Sequence, residues 1–334
     1  MTSITEKEQQ FTFAAETISK VKDEIQSFMV GQNEVIDQVL WSILAGGHVL
    51  LEGLPGLGKT MLIKTIAECM DLQFSRIQFT PDIMPSDITG TMLLQPDEAG
   101  RQNFVFHKGP LFANIVLADE INRATPKTQS ALLEAMGEKT VTIMGETKRM
   151  ENPFFVLATQ NPIDMEGTYP LPEAQTDRFI CKVHVHYPSK EELKEIVLRT
   201  TGTETVQLEK MANVEDVIAL QHLTKEVLVS EDIIDYAVNI ISATHPDSLE
   251  APELVKQFIQ YGSGPRGLQS LISLAKARAI SLGRYHVSVG DIKHVAKPVL
   301  RHRLILNFEG EANGMTADEM IAHILDNLGQ GARG

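Results

Sequence analysis

The stretch Gly53-Leu54-Pro55-Gly56-Leu57-Gly58-Lys59-Thr60 decides which fold this chain adopts. It matches the pattern G-x-x-x-x-G-K-[ST] in full, between an apolar run at 49–51 and an amphipathic helical pattern that begins at Lys59. Glycines let the backbone N–H groups of such a loop curl around phosphate oxygens, and the N-terminus of the following helix adds a partial positive charge. The stretch therefore predicts a strand, a phosphate-binding loop and a helix in succession.

Two side chains of this loop have separate predicted roles. Lys59 is expected to reach the β- and γ-phosphates of ATP, and the hydroxyl of Thr60 is expected to bind Mg²⁺. The residues expected to contact the nucleotide, ATP or ADP, belong to the loop and the first turn of the helix: Gly53, Pro55, Gly56, Leu57, Gly58, Lys59, Thr60 and Met61.

A pair of acidic residues, Asp119 and Glu120, follows the apolar run 115–118. In a P-loop ATPase, an aspartate at this point holds the Mg²⁺ shell, and an adjacent glutamate orients and polarises the attacking water. Alone, such a pair is more typical of an exposed acidic turn. Downstream of a complete phosphate-binding loop it predicts a catalytic role, and the glutamate favours the ATPase branch of P-loop proteins over the kinase and Ras-like branches.

A polar residue, Asn161, follows a further apolar run at 154–159. If this strand lies between the phosphate-loop strand and the Asp119 strand, Asn161 sits at its carboxyl end, where open α/β sheets bind ligands. Asn161 would then face the γ-phosphate and position water. The alternative is an ordinary turn residue, since Pro162 follows it.

Around these motifs the chain alternates between apolar runs and amphipathic helical patterns. The segments that predict strands of a parallel sheet are 48–51, 74–79, 115–119, 154–159 and 179–185, and several of them are short continuous apolar runs. Two hairpins interrupt the alternation as insertions: 90–94 pairs with 103–106, and 139–144 pairs with 147–150 around a turn at Gly145-Glu146.

Helical patterns flank the alternating region. A helix is expected at 11–29, and Thr125 before Pro126 predicts the start of another. After Pro188 the strand signals fade, and Ser189 and Ser288 begin capping patterns. Further helices are expected at 215–227, 231–244, 252–261, 265–282 and 291–300. We therefore predict an α/β domain at 1–187 and an all-helical domain at 188–334.

The composition is that of a globular protein and argues against a nucleic-acid-binding field. The 334 residues are 43% hydrophobic, and 30 basic against 44 acidic residues give a formal net charge of -14. Cys69 and Cys181 show no disulfide or zinc spacing. The N-terminus lacks the apolar segment of a signal peptide, and no run approaches the length of a membrane span, so a cytoplasmic protein is expected.

Together these residues resemble the MoxR family of AAA+ ATPases over nearly the whole chain. The segments that carry the resemblance are GPLFAN at 109–114, LADEINRA at 117–124, PKTQSALLEAM at 126–136, ATQNP at 158–162, LPEAQ at 171–175, DRF at 177–179 and PVLRHR at 298–303. The departures are Thr176, where the family often has leucine, and the Gly-Pro-Arg-Gly at 264–267, where Ser-Pro-Arg-Ala is commoner. Neither departure removes a charged group.

The resemblance implies a P-loop NTPase αβα sandwich with a parallel sheet of order 5-1-4-3-2, followed by a helical lid. It makes 53–60 the Walker A loop, Asp119 and Glu120 the Walker B acids, and Asn161 sensor 1. The two hairpins correspond to the helix-2 insert and the pre-sensor-1 insert. Such proteins form hexameric rings, so a homo-oligomer is expected.

The resemblance also assigns residues outside these motifs. It makes Arg178 the arginine finger, acting on ATP bound by the neighbouring subunit, although Arg123 is a rival and a surface ion pair is the alternative. It makes Arg266 sensor 2, unless it is only a first-turn residue of the lid. It places Val30 and Gly31 against the adenine.

Three functions fit these features. The first is a chaperone that remodels or matures a client enzyme complex, paired with a protein carrying a von Willebrand factor type A domain. The second is the ATPase subunit of a magnesium-chelatase-like complex. The third is a nucleic-acid motor, which needs basic hairpin tips. The tips at 95–102 and 145–149 are mixed in charge, so nucleic acid is not expected as a partner.

Two further groups are expected to have no special role. His184 and His186 share one face of a strand, but no third ligand stands at a recognisable spacing. The basic run Arg301-His302-Arg303 is interpreted as a solvated helix end.

Overall fold

The computed structural model describes residues 4–97, 101–161, 168–201 and 207–331. Glu98, at the tip of the first predicted hairpin, and Pro162, which follows Asn161, lie outside the described residues. The strands within these ranges are β1 (His48–Glu52), β2 (Phe74–Gln78), β3 (Gly90–Pro96), β4 (Gln102–Lys108), β5 (Ile115–Asp119), β6 (Thr140–Ile143), β7 (Glu146–Arg149), β8 (Phe155–Gln160), β9 (Phe179–His184), β10 (Ile259–Tyr261) and β11 (Ile305–Leu306).

Helices connect the strands and form most of the second half. Those within the described ranges are α1 (Ile4–Phe28), α2 (Asn33–Ala45), α3 (Lys59–Cys69), α4 (Pro85–Thr89), α5 (Pro126–Glu138), α6 (Glu173–Thr176), α7 (Lys190–Thr200), α8 (Val214–Glu226), α9 (Glu231–Ala243), α10 (Glu253–Phe258), α11 (Pro265–Ser281), α12 (Val289–Leu300), α13 (Phe308–Ala312) and α14 (Ala317–Gly331). A single 3₁₀ turn, Ile121–Arg123, follows β5.

The central sheet has five parallel strands in the order β2-β5-β8-β1-β9. Numbered by their sequence within the sheet, the strands follow the order 5-1-4-3-2, so the predicted αβα topology is confirmed. The four apolar residues of β5 are all buried, as expected of a strand covered on both faces. The order places the ends of β1, β5 and β8 side by side.

Both predicted hairpins are present as separate antiparallel pairs, β3 with β4 and β6 with β7. The predicted turn of the second hairpin is wrong by one residue. Ile143 pairs with Glu146, so the turn residues are Met144 and Gly145. Both have positive φ, 49° and 86°, which is the backbone of the tight turn that matches strand twist.

Several helix predictions need correction. The first helix begins earlier, at Ile4, and α2 was not predicted. Nine of the thirteen residues of α2 are buried, so it lacks the polar stripe from which an amphipathic helix is recognised.

The described part of the second half contains one short strand pair among its helices, so the all-helical prediction is too simple. The predicted helix 252–261 ends at Phe258, and its last residues form β10, which pairs antiparallel with β11. Ser189 and Ser288 do begin helices with reciprocal capping hydrogen bonds.

One buried apolar cluster joins the two halves of the chain. It contains residues of α1 and α2, of the sheet, and of α11 and α12, and Trp41 Nε1 donates to Ser281 Oγ at 2.9 Å across it. The predicted domain boundary near Tyr187 lies between β9 and α7. Because the two halves share this buried cluster, the boundary stays a prediction.

Candidate nucleotide-binding site

The phosphate-binding loop joins β1 to α3 at the carboxyl end of the sheet. Gly56 and Gly58 have φ values of 80° and 76°, a backbone that side chains other than glycine rarely adopt. A Cβ atom on Gly53 would lie 2.8 Å from the carbonyl oxygen of Val185, so this position needs glycine for close packing. The loop thus has the backbone that its sequence predicts.

The side chain of Lys59 folds back over this loop. Its Nζ donates to the carbonyl oxygen of Gly53 at 2.5 Å and to that of Leu54 at 3.3 Å. Partial burial lowers the pKa of Lys59, and the nearby carboxylates of Asp119 and Glu120 counteract that shift. The ammonium group is therefore held where a phosphate would take over its hydrogen bonds.

The two acidic residues are bound to each other through Thr159, at the end of β8. Thr159 Oγ1 donates to Asp119 Oδ1 at 2.6 Å and accepts from the backbone N–H of Glu120 at 2.8 Å. Glu120 has a φ of 59°, rare for a residue that is not glycine, at the point where β5 ends and the 3₁₀ turn begins. Thr159 was not predicted as a site residue, although it lies only two residues before Asn161 at the end of β8.

Strand β2 contributes two further polar side chains that were missed. Arg76 Nη2 donates to Asp119 Oδ2 at 2.7 Å, and Gln78 Nε2 donates to Glu120 Oε2 at 2.9 Å. Arg123, in the turn after β5, also pairs with Glu120, at 3.3 Å. In the sequence, Arg76 and Gln78 alternate with Ile77 and Phe79, which indicates that the two polar side chains share one strand face. Which residues they contact depends on the pairing of β2 with β5.

These groups surround one cavity of about 510 Å³, a size typical of small-molecule sites. Its lining residues come from the loop and from the carboxyl ends of β2, β5 and β8: Pro55, Gly56, Gly58, Lys59, Thr60, Met61, Lys64, Arg76, Gln78, Asp119, Glu120, Thr159 and Asn161. The structure therefore brings together nine of the predicted site residues. They are Pro55, Gly56, Gly58, Lys59, Thr60 and Met61 of the loop and α3, and Asp119, Glu120 and Asn161 at the strand ends.

The oxygen atoms of this cavity suit Mg²⁺. Asp119 and Thr60 supply a carboxylate and a hydroxyl, and Mg²⁺ is usually held by one or two carboxylates with water and substrate phosphates. In the described part of the chain, no group of three or more His, Cys, Asp or Glu side chains is placed to bind a metal by itself. A phosphate-dependent metal site fits these residues better than a protein-only one.

The segment predicted to contact adenine lies beside the loop. Gly31 has a φ of 71°, and Gln32 Nε2 donates to the carbonyl oxygen of Leu57 at 3.0 Å. A Cβ atom on Gly31 would lie 2.1 Å from Glu192 Oε1, so the segment also contacts the start of α7. Val30 and Gly31 are thus adjacent to the phosphate loop and to the first helix of the second half.

Arg178 and Arg266 lie elsewhere. Together they line a cavity of about 340 Å³ with Gly47, which precedes β1, and with Asp177, which precedes β9. This is the amino end of the sheet. Because β1 is five residues long, its two ends are roughly 15 Å apart. Arg123, in contrast, lies beside Glu120 at the carboxyl end.

The interpretation of Arg301-His302-Arg303 as a solvated helix end is wrong. The side chains of Arg301 and Arg303 are only 11% and 2% exposed. Arg301 Nη1 donates to the carbonyl oxygen of Lys182. A ring nitrogen of His302 lies 3.1 Å from the carbonyl oxygen of Phe179. Burial holds the pKa of His302 well below its usual value. These residues fasten the second half to β9.

Comparison with known proteins agrees with the fold described above. A family model described as "ATPase family associated with various cellular activities (AAA)" matches residues 48–181, and a model described as "AAA lid domain" matches residues 252–324. A crystal structure of a protein from Cytophaga hutchinsonii is 44% identical in sequence, has a TM-score of 0.90 and aligns over 96% of each chain.

Two similar sequences align over most of their lengths. Chaperone MoxR1 of Mycobacterium tuberculosis is 41% identical over 312 residues, which are 93% of this chain and 82% of that protein. The uncharacterized protein YeaC of Bacillus subtilis is 42% identical over 92% of this chain and 93% of its own length. The chain therefore belongs to the MoxR family of AAA+ ATPases.

Proposed function

We propose that this chain binds ATP with Mg²⁺ and hydrolyses it in a hexameric ring, as a chaperone that remodels or matures a partner protein complex. The observation that carries the ATPase proposal is the cavity at the carboxyl end of the sheet. There a flexible cation, Lys59, two linked carboxylates, Asp119 and Glu120, and the amide of Asn161 face one space. This set serves phosphoryl transfer to water.

Each side chain has a distinct task in this proposal. Lys59 moves from the loop carbonyls to the β- and γ-phosphates, while Thr60 and Asp119 hold Mg²⁺, which neutralises charge on the phosphate oxygens when bound. Glu120 accepts a hydrogen bond from the attacking water and polarises it. Asn161 positions that water against the γ-phosphate.

The neighbouring subunit supplies the remaining positive charge. Arg178 and Arg266 are both exposed and lie at the amino end of the sheet, away from their own phosphate loop. A head-to-tail contact would bring them against the carboxyl-end cavity of the next copy, and repeating that contact closes a ring. Arg123 already pairs with Glu120 of its own chain, which favours Arg178 as the arginine finger.

The chaperone role is supported by a relative's name and by the charges of the hairpins. The related Mycobacterium protein is named a chaperone. On the first hairpin tip Arg101 pairs with Asp97 at 3.0 Å, and on the second Lys148 pairs with Glu146 at 2.6 Å. Since their own carboxylates neutralise these cations, the tips are poor contacts for nucleic acid.

A cytoplasmic location and a partner with a von Willebrand factor type A domain complete the proposal. None of the described helices combines the length and apolar character that crossing a bilayer requires. The second candidate, an ATPase subunit of a magnesium-chelatase-like complex, would use the same cavity and a similar partner. Purifying the partners bound to a Glu120→Gln variant with ATP tests both, because recovery of DNA in place of a type A domain protein contradicts both.

The ATPase proposal is tested by three variants. Lys59→Ala should lose nucleotide binding, and Glu120→Gln should bind ATP with little turnover. Arg178→Ala should bind ATP normally but turn over slowly, because arginine fingers contribute about 10³-fold or more to turnover. Mixing Arg178→Ala with Glu120→Gln should restore activity, since one variant supplies Glu120 and the other supplies Arg178. Tight ATP binding by Lys59→Ala, or a mixture as inactive as its parts, would contradict the proposal.

A further inference from the structure

The backbone on both sides of Arg178 is held by one buried guanidinium, that of Arg303. Arg303 follows α12 in the second half of the chain, whereas Asp177 and Phe179 flank Arg178 in the first half. Arg303 Nε donates to Asp177 Oδ1 at 2.7 Å, and its Nη2 donates to the carbonyl oxygen of Phe179 at 2.7 Å. The two neighbours of Arg178 are therefore bound to the same side chain.

The other hydrogen bonds of Arg303 fix its orientation. Nη2 also contacts the carbonyl oxygen of Asp177 at 3.3 Å and Ser270 Oγ at 3.1 Å. Nη1 donates to the carbonyl oxygens of Ile180, at 3.2 Å, and of Val299. A buried guanidinium costs desolvation free energy that good hydrogen bonds offset, and apolar packing would fill the same space more simply. Its fork geometry instead fixes one arrangement of the backbone around it.

The carboxylate of Asp177 connects this contact to the exposed cation of α11. Asp177 Oδ2 lies 3.6 Å from Arg266 Nη1, while its other oxygen accepts from Arg303. Arg178 itself extends to α5, where its Nη1 donates to the carbonyl oxygen of Leu133 at 2.6 Å. Asp177 thus contacts the guanidinium of Arg266 and, through Arg303, fixes the backbone next to Arg178.

We propose that Arg303 and Asp177 are positioning residues for Arg178. Through them, the placement of the second half in one subunit sets the position of the arginine finger at the ATP of the next subunit. This inference rests on the proposed function, because Arg178 must act on a neighbour's ATP. Through Arg303 and Asp177, the helices of one subunit would influence ATP hydrolysis in the next subunit.

The test uses Arg303→Lys and Asp177→Asn, which keep the size of the side chains. Lysine keeps a charge near Asp177 but cannot hold both neighbours of Arg178, and asparagine removes the charge shared with Arg266. In each variant kcat should fall by at least about tenfold, since the finger is misplaced, while the ATP dissociation constant stays within about twofold. The matched control is Arg301→Lys, because Arg301 is also buried but contacts Asp318 and the carbonyl oxygen of Lys182.

Mixing separates a positioning role from a merely structural one. Each variant mixed with Glu120→Gln should recover turnover, because its own phosphate loop and Glu120 are intact and the partner supplies a well-placed Arg178. Recovery with Arg178→Ala but not with Arg303→Lys or Asp177→Asn would overturn this inference and leave the proposed function standing. Failure of the Arg178→Ala mixture would instead contradict the proposed function. If Arg303→Lys does not fold, Asp177→Asn decides alone, and a loss of ATP affinity as large as the loss of kcat counts against the inference.

Discussion

Thr159 links the side chain of Asp119 to the backbone of Glu120 with one hydroxyl. It is 1% exposed, and it donates to Asp119 while accepting from the N–H of Glu120. Thr159→Val keeps the shape but leaves both partners without that bond, so Glu120 should lose its orientation. We expect kcat for ATP to fall roughly tenfold to a hundredfold, because small misplacements of catalytic groups have effects of that size.

Thr159→Ser is the control for this prediction, because serine keeps the hydroxyl and should keep most of the activity. Steady-state ATPase assays and binding of a fluorescent ATP analogue measure both quantities. Nucleotide affinity should change little in either variant, since Lys59 and the loop are untouched. A valine variant with normal kcat would show that the bridge is unimportant for turnover.

His48, at the start of β1, predicts how stability depends on pH. One ring nitrogen accepts from the N–H of Val156 at 3.0 Å, so the other carries the proton toward the carbonyl oxygen of Met136 at 3.1 Å. Burial lowers the pKa of His48 from 6.5 to about 4. The unfolded chain therefore takes up a proton between these two values when the folded chain does not.

This difference in proton uptake sets the direction in which stability changes with pH. The contribution of His48 to stability is complete above about pH 6.5 and is lost as pH falls toward 4, up to about 3 kcal/mol. Burial also depresses the pKa of His302, so its effect has the same direction. Urea denaturation at pH 7.5 and pH 5.5 should show a loss of stability that is smaller in His48→Gln, which does not titrate. Equal losses in both proteins would contradict the assignment.

Some residues of the site can be predicted from the sequence, and others cannot. Lys59, Thr60, Asp119 and Glu120 stand in local patterns whose chemistry can be recognised without a structure. Arg76 and Thr159 act through strand pairing, and the sequence does not show that Arg76 pairs with Leu117, two residues before Asp119 on β5. Residues whose partners lie on another strand were therefore missed.

At the scale of elements, the start of α12 contains a buried charge cluster. Asp291 is fully buried and accepts from Arg278, from both Nη atoms of Arg284 at 2.7 and 2.6 Å, and from Ser288. Burial raises the pKa of Asp291, but the hydrogen bonds from Arg284, Ser288 and Arg278 outweigh it, so the carboxyl stays ionised. The cluster ties α11 to α12.

Removing this charge should destabilise the helical half. Asp291→Asn leaves two guanidinium groups without their counter-ion, and breaking a buried ion pair in this way costs about 3–5 kcal/mol. Glu253→Gln, in an exposed pair with Lys256, should cost less than about 1 kcal/mol. Urea denaturation followed by circular dichroism measures both. Similar losses in the two variants would mean that the cluster at Asp291 is no stronger than a surface pair.

Most elements with a clear hydrophobic pattern were predicted, although the amphipathic helix α14 was not. The five parallel strands were found because several are continuous apolar runs and all lie between recognisable helices or turns. Helix α2 was missed because it is buried on most sides, and β10 was taken for helix because three residues carry too little pattern. The partner of β10 lies more than forty residues away, so only the fold reveals the pair.

For the whole molecule, the separation of the two arginines from the phosphate loop predicts an activity that depends on assembly. Arg178 and Arg266 lie at the amino end of the sheet, and Lys59, Glu120 and Asn161 at the carboxyl end. In the proposed mechanism a monomer would hold both parts of the site without joining them, whereas a head-to-tail ring would join each cavity to the next subunit's arginines.

The specific ATPase activity should therefore rise with protein concentration and level off as rings form, which sedimentation with and without ATP measures in parallel. Arg178→Ala is the informative comparison, because its rings should form while its activity stays low at every concentration. A constant specific activity from a protein that sediments as a monomer would mean that one chain completes its own site. In that case Arg123, which already contacts Glu120, would replace Arg178 as the cation at the γ-phosphate, and the chain would act as a monomeric switch.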